Sequence, residues 1–399
     1  MLTKVQLEKY ADVLIWGIET SRAKPYRPHD IILMRFDQQA LPLAEVLFRK
    51  LTMKKRNVIP RALNTPVMEK DFFTHSDKKL RGFVGSWEKQ FFGELNGNIF
   101  LSAPSSLTHL KDIDPKKMNE VALARKPLRR IMEKREERGL FGWTLCTIPT
   151  EELARRAKLS LKDYTAQIVK ACFLNDADPV KRWKQIHRDS TEIKKWLGSL
   201  KIRTLRLESE NCDLEISVGE RRRFLGTSGH NIPSFEIFTS PDWRGTRGRY
   251  FANLPSYRSG NYVSGVTLEF REGRLIKSRA HQGGEFLARM ASMDEGAGRI
   301  GEFSLTDRRF SRIDRFMADT LFDENFGGRH GNSHIAIGAS YSDTYDGNPA
   351  ILTPAMKKRL GFNDSALHWD LVNTEDKRVT AALRNGKTVT IYEKGIFTI

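Results

Sequence analysis

The chain has 399 residues and is 39% hydrophobic, which suits two domains with real cores and excludes a disordered chain. Its formal net charge of +18 predicts attraction to anions, but the basic runs "RKPLRRIMEKREERG" (125–139) and "GERRRF" (219–224) mix acids with bases. No RNA-binding aromatic signature, zinc finger or heptad accompanies them, so they read as solvated faces, with no nucleic acid expected as partner.

No segment approaches the roughly 18 unbroken apolar residues of a membrane span. The opening "MLTKVQLEKYADVLIW" places Glu8 and Asp12 inside its apolar periodicity, so it predicts an amphipathic helix and not a signal peptide. The three cysteines, Cys146, Cys172 and Cys212, lie far apart and form no C-x-x-C. They point to a reducing, cytoplasmic compartment and away from a thiolate metal site.

Val5, Leu7, Ala11, Leu14 and Ile15 line the opening helix. "DIILMRF" (30–36) predicts a buried strand and "NVIP" (57–60) a second strand, with the helical "LPLAEVLFRKLTMKK" (41–55) between them. "NIFLSAP" (98–104) and "GWTLCTIP" (142–149) predict two more. Strands alternating with helices predict an α/β domain with a largely parallel sheet over residues 1–200. Thr150 and Ser160 offer N-caps to two helices, and "DPVKRWKQIHRDSTEIKKWLGSL" (178–200) predicts a long one. From residue 201 onward the pattern turns to alternation. "IRTLRLES", "CDLEISV" and the two runs around Glu272-Gly273 read as strands, and Asn385-Gly386 signals a hairpin. Residues 201–399 therefore predict a β-rich α+β domain.

A catalytic metal needs ligands that converge from separate elements. Among nine histidines, His29, His75, His109 and His187 have no patterned partner, and His330 sits in the Gly-rich "GGRHGN". Four β-like segments of the second half differ. "IPSFEIFTSPDW" holds Glu236 between Phe235 and Ile237, and a carboxylate so placed is costly to bury unless paired or coordinated. Glu302 in "RIGEFSLT" repeats the pattern. "GNSHIAIGASY" puts His334 on the face opposite Ile335 and Ile337. "ALHWDLV" puts His368 and Asp370 on one face, with Leu367, Trp369 and Leu371 on the other.

This donor set is oxygen-rich with imidazole, which suits Zn²⁺, Co²⁺, Mn²⁺ or Fe²⁺. Three carboxylates with two histidines match two ions that share a bridging carboxylate. Asp323 and Glu324 in "TLFDENFGG" are nearby acids, either solvated groups at a helix end or supports to the ligands; for a hydrolytic metal site, Glu324, Asp323 or a ligating carboxylate are the candidates for general base. The loop "DWRGTRGRY" (242–250) offers Arg244, Arg247 and Arg249 for substrate carboxylates.

Through these segments the chain resembles the thermophilic-type metalloaminopeptidases, the aminopeptidase T and aminopeptidase S family. "LEKYADVLI", "DPVKRWKQIH", "HNIPSFEIFTSP", "IGEFSLT", "LFDEN…SHIAIGASY" and "LHWDL" occur in the family's order and span nearly the whole chain. The resemblance implies metal ligands at Glu236, Glu302, His334, Tyr341, His368 and Asp370. It also implies two divalent ions per chain (Zn, Co, Mn or Mg), peptide substrates cut at the amino terminus, and a homodimer. The loop "FGGRHGNS" before His334 is longer than in the best-known members. Tyr341 stands seven positions after His334, so a straight strand would turn it to the opposite face unless Gly338 or the strand end supplies a twist. Two other readings compete. One is a ring-cleaving dioxygenase that holds a single Fe²⁺ on His334, His368 and Asp370. The other is a basic nucleic-acid-binding protein.

Overall fold

The short apolar runs Ile31–Phe36, Gly97–Ser102 and Gly142–Thr147 form largely buried strands, whereas Asn57–Ala62 lies mostly exposed at the sheet edge, and the alternating runs of the second half form strands with one wet face. A computed structural model describes all residues, 1–399. In chain order the strands are β1 (Ile31–Phe36), β2 (Asn57–Ala62), β3 (Gly97–Ser102), β4 (Gly142–Thr147), β5 (Ile202–Ser209), β6 (Asp213–Ser217), β7 (Asn231–Ile232), β8 (Glu236–Thr239) and β9 (Asp242–Ala252). They continue with β10 (Ser256–Arg258), β11 (Asn261–Val263), β12 (Val266–Arg271), β13 (Arg274–Arg279), β14 (Ile300–Thr306), β15 (Asn332–Gly338), β16 (His368–Asn373), β17 (Lys377–Leu383), β18 (Thr388–Glu393) and β19 (Ile396–Phe397).

Contacts divide the chain into two compact units. The first comprises Met1–Lys184 with the excursions Ser228–Ser234 and Arg258–Asn261. Its sheet has the order β2-β1-β3-β4-β7, and every pair is parallel. Pro60 lies on the edge strand β2, where a missing N–H costs least. The opening helix, Lys4–Thr20, starts with a capping box between Thr3 and Gln6 and buries Tyr10, Leu14 and Ile18. Thr150 and Ser160 cap their helices through Leu153 N and Asp163 N. The basic run 125–139 falls largely on the helix Pro115–Glu137, which buries only Leu128.

The second unit comprises Gln185–Thr227, Phe235–Tyr257 and Tyr262–Ile399. It carries an eight-stranded sheet of order β13-β12-β9-β6-β5-β17-β18-β19 and a four-stranded sheet of order β16-β15-β14-β8. Both are antiparallel, so the expected fold classes, parallel α/β and β-rich α+β, are those observed. Between β12 and β13, Glu272 and Gly273 both take positive φ (50° and 74°), as a primed turn requires. The Asn385-Gly386 hairpin is wider than two residues. Leu383 N reaches back to Lys387 O, and the Asn385 side chain caps Lys387 N.

The two antiparallel sheets share one apolar core. Leu205, Leu207, Leu214, Ile216, Leu268, Val379 and Ala381 meet Ile237, Phe303, Leu305, Ile335, Ile337, Leu367, Trp369 and Leu371 there. Tyr250 of β9 is fully buried and places its hydroxyl 3.0 Å from Ser333 O and 2.8 Å from Leu371 O. This contact ties the large sheet to β15 and β16. The four-stranded sheet therefore has a dry face fixed by packing and a second face free for polar chemistry. Trp369→Ala should remove about 3–5 kcal/mol of stability, measured by chemical denaturation. A loss below about 1 kcal/mol would mean that Trp369 does not anchor this face.

Candidate metal centre

On the polar face of the four-stranded sheet, register decides which side chains meet. Glu302 of β14 lies opposite Ala336 of β15, and Ala336 lies opposite Asp370 of β16. Ala336 carries only a methyl group, so the space between the two carboxylates stays open. Ser304 lies opposite His334 on one side and Phe238 on the other.

Two glycines set this arrangement. The register of β14 slips between Ile300 and Glu302. A Cβ on Gly301 would sit 2.5 Å from Gly338 O and 2.2 Å from Ala339 O, so only glycine allows the bulge. The slip lets Ile300 stay in the core while Glu302, two positions later, turns to the polar face. Gly338 closes β15 with φ +109°, and the chain leaves the strand there. Tyr341 is consequently freed from strand alternation. Its ring lies 4.8 Å from that of His368 and 5.8 Å from that of Phe238, and its N–H donates to Ser240 Oγ at 2.8 Å.

The structure brings five of the expected side chains into one cluster. His334 Nε2 is 3.1 Å from Glu236 Oε2 and 3.3 Å from Glu302 Oε1. His368 Nε2 is 3.6 Å from Glu302 Oε2 and 3.3 Å from Asp370 Oδ1. His334 and Glu302 are 1% and 3% exposed, so water screens them little. The donor atoms form two triads, Glu236–Glu302–His334 and Glu302–His368–Asp370, each within 4.8 Å, and Glu302 belongs to both. His368 Nδ1 lies 2.9 Å from Ala339 O, which places the proton on Nδ1 and leaves Nε2 as the donor lone pair.

Protonation follows from this crowding. Burial raises the Glu302 carboxyl to about 7, with Glu236 adding repulsion against a hydrogen bond from His334. Burial works against a charged His368, but Asp370 and Glu302 outweigh it and raise the imidazole to about 9. His334 is also raised well above its ordinary value: burial opposes this, and Glu236 and Glu302 overcome it. Glu302 and His368 thus favour their protonated forms, and a divalent cation would compete with those protons. Carboxylates and imidazoles crowded in this way fit a divalent metal.

The two neighbouring acids separate clearly. Asp323 accepts from Met317 N at 2.7 Å and Asp319 N at 3.0 Å, so it closes its own turn. Glu324 is raised well above its ordinary value by burial and by Glu236, Asp370 and Glu302, which puts its carboxyl within electrostatic reach of the cluster. Arg244 and Arg247 lie on β9 of the large sheet. Arg244 forks onto Asp242 at 2.8 and 2.6 Å, and Arg247 meets Glu215 at 2.8 Å, so each already has an acid partner.

Sequence reasoning missed several supports. Ser304 Oγ donates to Glu236 Oε2 at 3.1 Å, and its place two positions after Glu302 was a usable signal. Asn325 accepts from Phe235 N at 2.6 Å and reaches Glu324 Oε1 at 3.4 Å, joining the entry of β8 to the turn that holds Glu324.

Comparisons with known proteins show the family of the chain. The family model described as thermophilic metalloprotease (M29) matches residues 3–397. The chain belongs to this family. Aminopeptidase PepS of Streptococcus thermophilus is 24% identical over 99% of this chain and 98% of its own length. Aminopeptidase AmpS of Bacillus subtilis is 27% identical, with 77% and 79% covered. Aminopeptidase T of Thermus thermophilus is 29% identical, with 65% and 63% covered. The solved structure of wild-type AmpT from Thermus thermophilus superposes with a TM-score of 0.80 at 20% identity over 99% of both chains, so the fold is shared. The dioxygenase alternative is not supported. The M29 match and the peptidase relatives point elsewhere, and an iron held on His334, His368 and Asp370 would leave Glu236 and Glu302 packed into the same cluster without a role.

A proton balance follows from the raised His368 and Glu302. Below about 9 His368 carries a proton on Nε2, and below about 7 Glu302 is protonated as well. Both must deprotonate to bind a cation, so affinity should rise with pH, by about tenfold or more from pH 6 to 8. Zn²⁺ titration against a competing chelator at several pH values measures this. A pH-independent affinity after correction for the chelator would refute the arrangement.

Proposed function

We propose that this chain is an aminopeptidase that removes the amino-terminal residue of peptides by metal-assisted hydrolysis. The observation that carries the reading is the pair of donor triads joined at Glu302, in a chain of a metalloprotease family. The aminopeptidase names of the relatives support the same class.

Glu236, Glu302 and His334 would hold one divalent ion, and Glu302, His368 and Asp370 the other, with Glu302 as the bridge. Zn, Co, Mn or Mg all suit hard oxygen with imidazole. Such ions, when bound, polarise a carbonyl and lower the pKa of water. The chain's own groups do the rest. Tyr341 covers His368 with its ring and offers a hydroxyl as a further donor. Its pKa is pushed well above the ordinary value by desolvation and by Glu302 and Asp370, so the hydroxyl keeps its proton and can donate. The acidic cluster suits the substrate ammonium. Glu324, held protonated by burial and its acidic neighbours, becomes a base when cations replace the shared protons, and it can then accept and return a proton. Arg244 and Arg247 serve their ion pairs in this reading, and substrate carboxylates would have to displace Asp242 and Glu215.

The proposal extends to the whole protein. Catalysis falls to the β-rich domain expected over residues 201–399, which corresponds to most of the second compact unit, and residues 1–200 supply most of the α/β unit. A cytoplasmic location is supported by three buried cysteines that form no disulfide. No helix is long and apolar enough to cross a membrane. A homodimer is the expected assembly.

Metal analysis on purified protein should give about two ions per chain, with release of amino acids from an aminoacyl-p-nitroanilide that chelation abolishes. Glu302→Ala and His368→Ala should each remove the activity, and either variant at full activity would sink the assignment. Glu324→Gln should keep both metals and lose about 10²–10⁴-fold in kcat; unchanged kcat would place the base elsewhere.

A further inference from the structure

The run "GERRRF" reads as a solvated face, yet its three arginines have different fates. Arg221 pairs with Asp346. Arg222 donates to Ser240 O at 2.6 Å, Leu360 O at 2.8 Å and Glu220 O at 2.9 Å, with its guanidinium over the Phe362 ring. Arg223 is exposed, donates from Nε to Asp343 O at 2.8 Å and makes no ion pair.

The location of Arg223 gives that free charge a use. The segment runs beside β8, where Leu225 and Phe238 exchange both backbone hydrogen bonds at 2.8 and 2.9 Å. Phe224 packs on the apolar core, while Leu225, bridged to Phe238, takes the face that bears Phe238 and Glu236, and the Arg223 guanidinium beside it reaches the Tyr341 turn through Asp343 O. Asp343, which anchors the guanidinium, lies two positions after Tyr341 in the turn above His368. Lys194 adds a second cation, with Nζ donating to Gly226 O at 2.8 Å on the same segment.

Register sets the span. Phe303 lies opposite Thr239, so Glu302 lies level with Ser240. The isolated bridge between Leu225 and Phe238 sets this segment one spacing beyond β8, and Arg223 lies just past that bridge, its N–H turned to Thr344 O at 2.8 Å. Two strand spacings of about 4.8 Å then put Arg223 on the order of 10 Å from Glu302. An extended peptide covers about 3.3–3.6 Å per residue, so two or three residues bridge the gap.

We propose that Arg223 anchors the α-carboxylate of a di- or tripeptide whose amino end sits in the Glu302 cluster. The inference rests on the aminopeptidase reading and narrows its substrate class to short peptides with a free carboxyl terminus. The bond broken is unchanged; Arg223 takes no proton and acts in binding alone.

The experiment compares one tripeptide as free acid and as carboxyl-terminal amide, on metal-loaded wild type, Arg223→Gln and Arg223→Lys. The wild type should show a lower KM for the acid than for the amide. In Arg223→Gln the ratio of acid KM to amide KM should rise about tenfold, with kcat for the acid changed far less. Arg223→Lys should recover part of the ratio, which a merely structural role would not do. Equal KM values for acid and amide in the wild type, or an unchanged ratio in Arg223→Gln, would overturn the anchor while leaving the aminopeptidase reading intact. Hydrolysis of neither peptide, nor of an aminoacyl-p-nitroanilide, would overturn that reading and the anchor with it.

Discussion

The constraint on which the second unit turns is the confinement of like charges. Glu236, Glu302 and Asp370 place donor oxygens in triads no wider than 4.8 Å, in a region where Glu302 and Glu236 are buried. At that separation a pair of carboxylates repels by roughly 3–4 kcal/mol at an effective dielectric of about 20. No protein keeps such a set without a counter-charge. Here the protein offers two imidazoles that can share protons with the carboxylates, and those protons are replaceable by cations. The unusual protonation of Glu302 and His368 is therefore the other side of metal affinity. The same groups that cost stability when bare are held ready for an ion.

The scaffold must resist this repulsion, and its means are apolar. Every charged member of the cluster has core-facing neighbours on its own strand. Ile237 follows Glu236, Phe303 follows Glu302, Ile335 follows His334, and Leu367, Trp369 and Leu371 flank His368 and Asp370. Alternation thus converts burial on one face into aim on the other. Ser304 and Ala336 complete the design in different ways. Ser304 fixes Glu236 by a hydrogen bond, whereas Ala336 contributes an absence of bulk between Glu302 and Asp370.

This logic explains how much was legible in the sequence. Strand alternation is local, so "ALHWDLV" and "SHIAIG" declare their faces without knowledge of the fold. Apolar runs between helices declare a parallel sheet for the same reason. What stayed hidden depends on contacts far away in the chain. The slip at Gly301 exists because Gly338 and Ala339 approach it, and no local pattern records that approach. The turn of Tyr341 onto His368 needs Gly338 at φ +109° and the hydroxyl of Ser240 about a hundred positions earlier. The residues Asn231–Ile232 join the sheet of the first unit through β4, a pairing that sequence texture cannot announce. The roles of Asp323 and Glu324 were inseparable as adjacent letters, and only the N–H groups of Met317 and Asp319 distinguish them.

Charge then acquires a direction. The chain as a whole is strongly basic, yet the centre of its polar sheet is acidic. Most nearby arginines are spent on acids: Arg221 on Asp346, Arg244 on Asp242, Arg247 on Glu215. A peptide zwitterion meeting such a surface is attracted at its ammonium end by the cluster and at its carboxylate end by any cation left unpaired. With Arg223 as the proposed anchor, orientation of the substrate needs no dedicated pocket for the side chain. It would follow from the sign of the field, with Asp370 and Glu302 on the sheet and Arg223 on the segment beside its edge strand β8.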